Sequence, residues 1–300
     1  MRNLKVYRYV DAIARTGSIR KAAEQLSITP SALNRRILAL EEELDVQVFE
    51  RLGRGVRLST AGELLIDVFR KQLAEADLVQ SRIADLSGLR RGHVAVTCSQ
   101  AVLPYFLPTQ IRRYQQEFPN VTFHVQNKDG EEAELALQNL TADLAIVFEP
   151  LSSREFQKLV SVPQPIHAVM SVDHPLADQA SLKFLDCLAY PLALPTRYYA
   201  VRKILQAYSE RLAIKLKPAV EAESYILLRN FVVDSQAIAF ELEIGVKSKS
   251  LNPRIKTIPL SVSPSSYGSL SVAQLTGRTL PVAAARFAQQ LTETLERDWG

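Results

Sequence analysis

The sequence predicts an α/β protein in three parts: an N-terminal, all-α-rich winged helix-turn-helix over 1–59, a long linker helix over 60–88, and a two-lobed α/β domain over 89–300. Three observations lead there. Apolar residues at the start of the chain recur at helical spacing and are interrupted by short capped turns. A proline-free stretch from Thr60 carries an apolar repeat of about 3.5 residues. From His93 onward, short β-prone runs alternate with helical segments, the pattern of a parallel sheet covered by helices.

Leu4, Tyr7, Val10 and Ile13 put one apolar face on a first helix, and Thr16-Gly17 stops it. Ser18 can cap a second helix, Ile19 to Leu26, whose Ala22, Ala23 and Leu26 permit close helix crossing. Thr29 caps a third, with Pro30 at the first helical position, where no N–H is needed. Leu33, Ile37, Leu40 and Leu44 form its expected buried stripe. Two short helices, a tight connection at Ser27-Ile28 and a longer third helix make a helix-turn-helix. Val46-Gln47-Val48-Phe49, the turn Gly53-Arg54-Gly55 and the run Val56-Arg57-Leu58 then read as a hairpin with a basic tip.

At ~100° per residue, Ser31 and Arg35 point nearly opposite Leu33, with Asn34 beside them. Such a helix lays its N-terminal residues in the major groove of double-stranded DNA. There Arg can bond guanine O6 and N7, and Asn can bond adenine N6 and N7. Arg51, Arg54 and Arg57 sit where a wing meets phosphates, contacts that add salt-dependent affinity but little sequence choice. A solvated helix face is the competing reading of the third helix alone. The basic hairpin directly behind it favours DNA.

The stretch Thr16-Gly17-Ser18-Ile19-Arg20-Lys21-Ala22-Ala23-Glu24-Gln25-Leu26 resembles the opening of the LysR-type helix-turn-helix. So do Thr29-Pro30-Ser31-Ala32-Leu33-Asn34-Arg35-Arg36-Ile37, Val48-Phe49-Glu50-Arg51 and Leu58-Ser59-Thr60-Ala61-Gly62. The resemblance implies a transcription regulator whose third helix reads DNA. Its candidate DNA contacts here are Ser18, Arg20, Thr29, Pro30, Ser31, Asn34, Arg35, Arg36, Arg51 and Arg54. Two departures alter the base-reading surface. Thr29-Pro30-Ser31 replaces the Ser-Gln-Pro common in the family, and Asn34 stands where serine is common.

Thr60-Ala61-Gly62-Glu63 has the spacing of a capping box. Leu65, Phe69, Gln72, Ala76, Val79, Ile83 and Leu86 then alternate four and three apart, a coiled-coil seam, and Ser87-Gly88 ends it. Leu64, Val68 and Leu73 widen the stripe. The rod would be ~40 Å long. Pairing of two such helices gives a homodimer, with a homotetramer left open; a helix packed on its own domain is the alternative.

In the remaining residues, His93–Thr97, Val121–Val125 and Asp143–Phe148 read as strands, with helices at Leu107–Phe118 and Glu131–Leu140. A second lobe holds the strands Ile166–Ser171 and Leu192–Leu194, the helix Tyr198–Arg211, the run Ala219-Val220-Glu221 and a helix at Tyr225–Asp234. A strand from Ser269 and a closing helix, Pro281–Glu296, return to the first lobe. Lobe I is thus expected at about 92–163 and 266–300, and lobe II at about 164–265. Asp173-His174-Pro175-Leu176-Ala177 resembles a recurrent turn of LysR-type sensing domains, which implies a periplasmic-binding-protein-like fold with a ligand between two lobes. Val233-Asp234-Ser235-Gln236-Ala237-Ile238-Ala239 departs from the glycine-rich segment usual there. Ligands of open α/β sheets collect beyond strand carboxyl ends and at helix N-termini. Ser99, Gln100, Phe148, Glu149, Thr196, Arg197 and Ser224 are therefore the candidates to bind a small-molecule effector, which the Ser, Gln, Thr and Arg groups suit to an anion; Glu149 argues the other way. Each has a bland alternative as a loop or cap residue. Closure of the lobes would then shift the assembly and the bound DNA.

Composition bounds the rest. With 47% hydrophobic and 23% charged residues the chain is an ordinary globular one, and its formal charge of +4 leans toward a polyanionic partner. No apolar run reaches the ~20 residues needed to span a bilayer. Met1-Arg2-Asn3-Leu4-Lys5 is unlike a signal peptide, so a cytoplasmic location is expected. Cys98 and Cys187 lie in no paired motif and read as reduced thiols, a redox pair being the other reading. No nucleophile elbow, phosphate loop or zinc motif is present, and His93, His124, His167 and His174 lack metal-ligand spacing. The expectation is no enzyme, no catalytic residue, no metal and no cofactor. A solute carrier, the third class weighed, does not fit the attached DNA-binding half.

Overall fold

The computed structural model describes residues 2–86, 91–148, 154–247, 252–261 and 268–300. The chain divides into two units, Met1–Leu89 and Arg90–Gly300.

The first unit runs α1 (Arg2–Thr16), α2 (Ile19–Gln25), α3 (Pro30–Leu44), the hairpin β1 (Phe49–Arg51) and β2 (Val56–Leu58), then α4 (Thr60–Leu86). Val10 and Ile13 of α1, Ala22 and Ala23 of α2, Leu33, Ile37 and Leu40 of α3, and Ile66 and Phe69 of α4 close around one core. Gly17 takes a positive φ of 61°, which lets the chain reverse between α1 and α2. Its carbonyl accepts from the N–H of Val56 at 2.9 Å. A Cβ on Gly55, itself at φ 86°, would stand 2.4 Å from that same oxygen. Only glycine lets the hairpin fasten so closely to the turn between α1 and α2.

Three local expectations need correction. Leu44 is 38% exposed rather than buried. The stripe of α3 ends at Leu40 because Asp45, left-handed at φ 51°, turns the chain back. The first strand begins at Phe49, not Val46. The Glu41 carboxylate accepts from the N–H groups of Val48 and Phe49 at 2.7 and 3.1 Å, so this segment wraps the end of α3 before any ladder starts. The cap of α4 is Ser59, whose Oγ accepts from the Gly62 N–H at 3.0 Å; the box expected at Thr60 lies one residue too late. Ser87-Gly88, expected to end α4, is outside the described residues.

The second unit contains two five-stranded sheets. The first has the order β4-β3-β5-β12-β6, from β3 (Gly92–Cys98), β4 (Val121–Asn127), β5 (Leu144–Val147), β6 (Phe156–Gln164) and β12 (Gly268–Leu275). β4, β3 and β5 are parallel, while β12 runs antiparallel to both its neighbours. The second has the order β11-β7-β10-β8-β9, from β7 (Ile166–Ser171), β8 (Leu192–Pro195), β9 (Pro218–Ala222), β10 (Ile238–Leu242) and β11 (Ile255–Pro259). Here β10, β8 and β9 are parallel. The chain passes from one sheet to the other at Gln164-Pro165-Ile166.

Helices α5 (Phe106–Glu117), α6 (Gly130–Gln138) and α11 (Val282–Trp299) belong with the first sheet, and α7 (Phe184–Cys187), α8 (Ala200–Arg211), α9 (Tyr225–Val233) and α10 (Glu243–Val246) with the second. The closing helix α11 packs on β3, β6 and α5, the return to the first lobe that its apolar face requires. Its fully buried Phe287 meets Tyr114 and Phe123 edge-on, with ring centroids 5.4 and 4.9 Å apart. The sequence pattern does not predict strands β6 and β11. Both are edge strands, where polar residues such as Lys158, Ser161, Lys256 and Thr257 dilute the apolar signal.

Candidate DNA-reading surface and effector cleft

The start of α3 is anchored by its cap. Thr29 Oγ1 accepts from the Ala32 N–H and lies against Ser31 Oγ, both at 3.3 Å, and Pro30 occupies the first turn. Ser18 Oγ caps α2 in the same way, at 3.4 Å from the Lys21 N–H. With the apolar side of α3 in the core, Ser31, Arg35 and Arg36 are left exposed. Asn34 is half-buried, and its Oδ1 accepts from Arg51 of the hairpin at 3.5 Å, so helix and wing meet at this residue. Arg20 pairs with Glu24 at 3.4 Å, and Arg57 binds Glu50 across the hairpin at 2.7 Å. Among the described residues none forms an ion pair with Arg35, Arg36 or Arg54. These three cations stand free for a polyanion.

Helix α4 divides its apolar residues between two faces. Phe69, expected on the seam, is only 4% exposed and stacks on Tyr7 of α1 with centroids 4.2 Å apart. Leu65 packs beside it at the edge of the same core. Both are corrections to the expected seam: α1 covers this side of the helix, and a straight helix drifts away from a 3.5-residue repeat. Arg70 ties the two helices further, with its Nε 2.8 Å from Asp11. Val79 and Ile83 are 54% and 58% exposed, and Leu64, Val68 and Leu86 are exposed as well. Gln72 is also exposed and Ala76 half-buried. The outward apolar row is therefore Leu64, Val68, Val79, Ile83 and Leu86, with Gln72 in its middle.

In the second unit, the carboxyl ends of β4, β8 and β9 converge on a cavity of about 690 Å³. One wall comes from the first sheet: Asn127, Lys128, Asp129, Gly130, Glu131 and Glu132, which run from β4 into α6. The other comes from the second sheet: Thr196, Tyr198, Tyr199 and Lys203 around the start of α8, and Glu223 after β9. Thr196 Oγ1 is buried there with no hydrogen-bond partner among the described residues. Two lysines face four carboxylates. Burial holds the Tyr199 hydroxyl above its ordinary range, and the carboxylates of Glu223 and Asp129, one from each wall, push it the same way.

Of the residues expected to bind an effector, Thr196 alone lines this cavity; its neighbour Arg197 is exposed and points no side chain into the lining. Ser99 is 2% exposed at the end of β3, and Phe148 is packed in the core. Gln100 and Ser224 are taken by the protein itself. Gln100 Oε1 accepts from the Tyr225 N–H at 2.9 Å and Ser224 Oγ from the Leu227 N–H at 3.3 Å, so the first lobe helps to cap α9 of the second. Glu149 lies outside the described residues. Around this cavity carboxylates outnumber lysines, unlike the anion-binding surroundings expected of Ser99, Gln100, Thr196 and Arg197. The missed residues 127–132 follow the same strand-end rule, applied to β4 rather than β3 and β5.

Beside the cavity a second junction between the lobes is solid. Arg229 of α9 forms a buried ion pair with Glu241, donates to the Gly245 carbonyl at 2.7 Å and reaches Tyr105 of the first lobe at 3.4 Å. Burial raises the Glu241 carboxyl, and Arg229 opposes that shift. The Asp173–Ala177 turn is likewise structural: His174 Nδ1 accepts from the Leu176 N–H at 3.1 Å, leaving Nε2 to donate to Gln236 O at 3.2 Å. Burial lowers the His174 value, in keeping with this neutral ring. Both cysteines are buried, and burial pushes each thiol up to about 12, far from a reactive thiolate.

A capped reading helix beside a basic hairpin, joined in one chain to a two-sheet domain with a cavity between its lobes, defines the class of ligand-responsive transcription regulators. Residues 4–63 match the profile of a "Bacterial regulatory helix-turn-helix protein, lysR family", and residues 87–296 match the "LysR substrate binding domain". The chain belongs to the LysR family of transcriptional regulators. It is similar to the "Probable RuBisCO transcriptional regulator" of Trichormus variabilis, 26% identical over 291 residues, which are 91% of this chain and 86% of the relative. It is also similar to the "Probable nitrogen assimilation transcriptional activator" of Synechococcus elongatus, at 25% identity over 250 residues, 82% of this chain and 81% of the relative. In fold it is similar to a full-length OxyR variant of Pseudomonas aeruginosa, with TM-score 0.73 and 20% identity over 98% of this chain and 94% of that one. Full-length CbnR complexed with its target DNA gives a TM-score of 0.66 at 17% identity, over 97% and 99% of the two chains. No helix among the described residues is long and apolar enough to cross a membrane.

Proposed function

We propose that two copies of this chain pair through the outward row of α4 and lay their α3 helices in successive major grooves of double-stranded DNA. The observation that carries this reading is the set of exposed cations Arg35, Arg36 and Arg54, unpaired among the described residues and held on a capped helix and on a hairpin that Glu41 and Asn34 tie to it. Arg35 and Asn34 read base edges, while Arg51 and Arg54 hold phosphates; Ser18, Arg20, Thr29, Pro30, Ser31 and Arg36 complete the contact surface. Half-sites about one DNA turn, ~34 Å, apart suit such a pair. The protein acts in the cytoplasm and is not an enzyme. Its second unit responds to a small molecule held between the two lobes, and the ligand acts through unequal affinity for two arrangements of the assembly.

The test is to measure molar mass and duplex binding of the purified chain at low salt. A dimer or tetramer that binds duplex DNA is expected. The Val79→Asp, Ile83→Asp double variant should shift to monomer and lose most of its DNA affinity. A folded wild-type chain that stays monomeric and ignores duplex DNA contradicts the reading.

A further inference from the structure

The cavity between the lobes is polarised as well as acidic. Around α6 stand Asp129, Glu131 and Glu132, with Glu223 across from them. The α8 side instead offers Lys203, the buried Thr196 hydroxyl and the N-terminus of a twelve-residue helix with no acidic residue in its first turn. Helix N-termini favour anions, but that of α6 already carries Glu131 and Glu132 in its own first turn. Its positive end is answered before a ligand arrives. An added dianion would meet three carboxylates against one lysine on the α6 wall, and a ligand without an anionic group would leave the Thr196 hydroxyl and the α8 N-terminus unanswered.

From this geometry we infer that the effector is a small aliphatic amino acid of net positive charge. Its ammonium groups sit among Glu131, Glu132, Asp129 and Glu223, and its carboxylate faces Lys203 and the start of α8. The rim tyrosines Tyr198 and Tyr199 suit such a ligand, since ring faces attract ammonium groups. The carboxylates of both walls already act on the Tyr199 hydroxyl, so their fields overlap inside the cavity. This inference rests on the reading of the cavity as the effector site, and the experiment separates the two.

Thermal unfolding and calorimetric binding of the full chain are measured with L-ornithine, L-lysine, 1,4-diaminobutane and succinate. Ornithine or lysine should raise the unfolding temperature, the diamine should do so less, and succinate should not. Glu223→Gln and Glu131→Gln, both at exposed positions, should each weaken amino-acid binding roughly three- to tenfold. Stabilisation by succinate, stabilisation by the diamine equal to that by ornithine, or no response to either amino acid overturns the assignment. Thr196→Trp fills the cavity and should abolish the response. Undiminished amino-acid binding by that variant places the ligand elsewhere, and the cavity reading itself then fails.

Discussion

On α3 and its hairpin, Arg35, Arg36 and Arg54 stand exposed without a carboxylate bound to them, whereas the cavity of the second unit sets Lys128 and Lys203 among four carboxylates. The first surface is assembled from a short run of sequence, because one cap, one helix and one hairpin fix every group. The second is assembled from segments up to about a hundred residues apart, each delivered by the end of a different strand. The contrast teaches where affinity is placed. Free cations on a rigid local frame suit a long polyanion, while a walled cavity of mixed charge suits a small ligand with both kinds of charge.

The largest effect is expected from the solid junction beside the cavity. Arg229→Met strands the Glu241 carboxylate in the interior and should cost about 3–5 kcal/mol in denaturant unfolding of the second unit. Adding Glu241→Leu should recover most of that loss. A single variant that unfolds like the wild type would show that the lobes do not depend on this pair. The hairpin should respond more gently. Arg54→Ala is expected to weaken binding to all duplexes alike and to reduce the slope of log affinity against log salt by about 1, read by titration over salt. A change confined to one base position would move Arg54 from the phosphates to the bases.

The smallest effect concerns pH. Burial lowers the values of His174 and His167 in the folded chain, so both rings are neutral there. The unfolded chain takes up protons first as pH falls below the ordinary 6.5. Stability of the second unit should therefore be full above that value and decline as pH drops through the depressed folded values. His174→Gln should flatten the decline, as followed by urea unfolding at a series of pH values. A pH profile unchanged by the substitution would exclude this ring as its source.

The same contrast governs what was legible in the sequence. Thr29, Pro30, Leu33 and Ile37 announce α3, its cap and its outward face, because helical period and capping chemistry are local. The heptad count places Phe69 on the seam because it cannot tell which side of α4 another helix covers; Tyr7 decides that, from far away in sequence. Gln100 and Ser224 looked like ligand groups because they sit at strand ends and helix starts. For Gln100 the outcome depends on what the other lobe brings to it, the N–H of Tyr225, while Ser224 closes its own helix on the N–H of Leu227. Glu223 and Asp129 carry no motif at all, and only the folding of two sheets together sets them around one space.

The most direct measurement is selection from random-sequence duplexes by the wild-type chain and by Arg35→Ala. The wild type should recover a two-part site with a defined base opposite each reading helix, and the variant should relax one position in each half at a cost of about 1–3 kcal/mol, leaving the others unchanged. Identical base preferences from the two proteins would contradict the assignment of α3 as the reading helix.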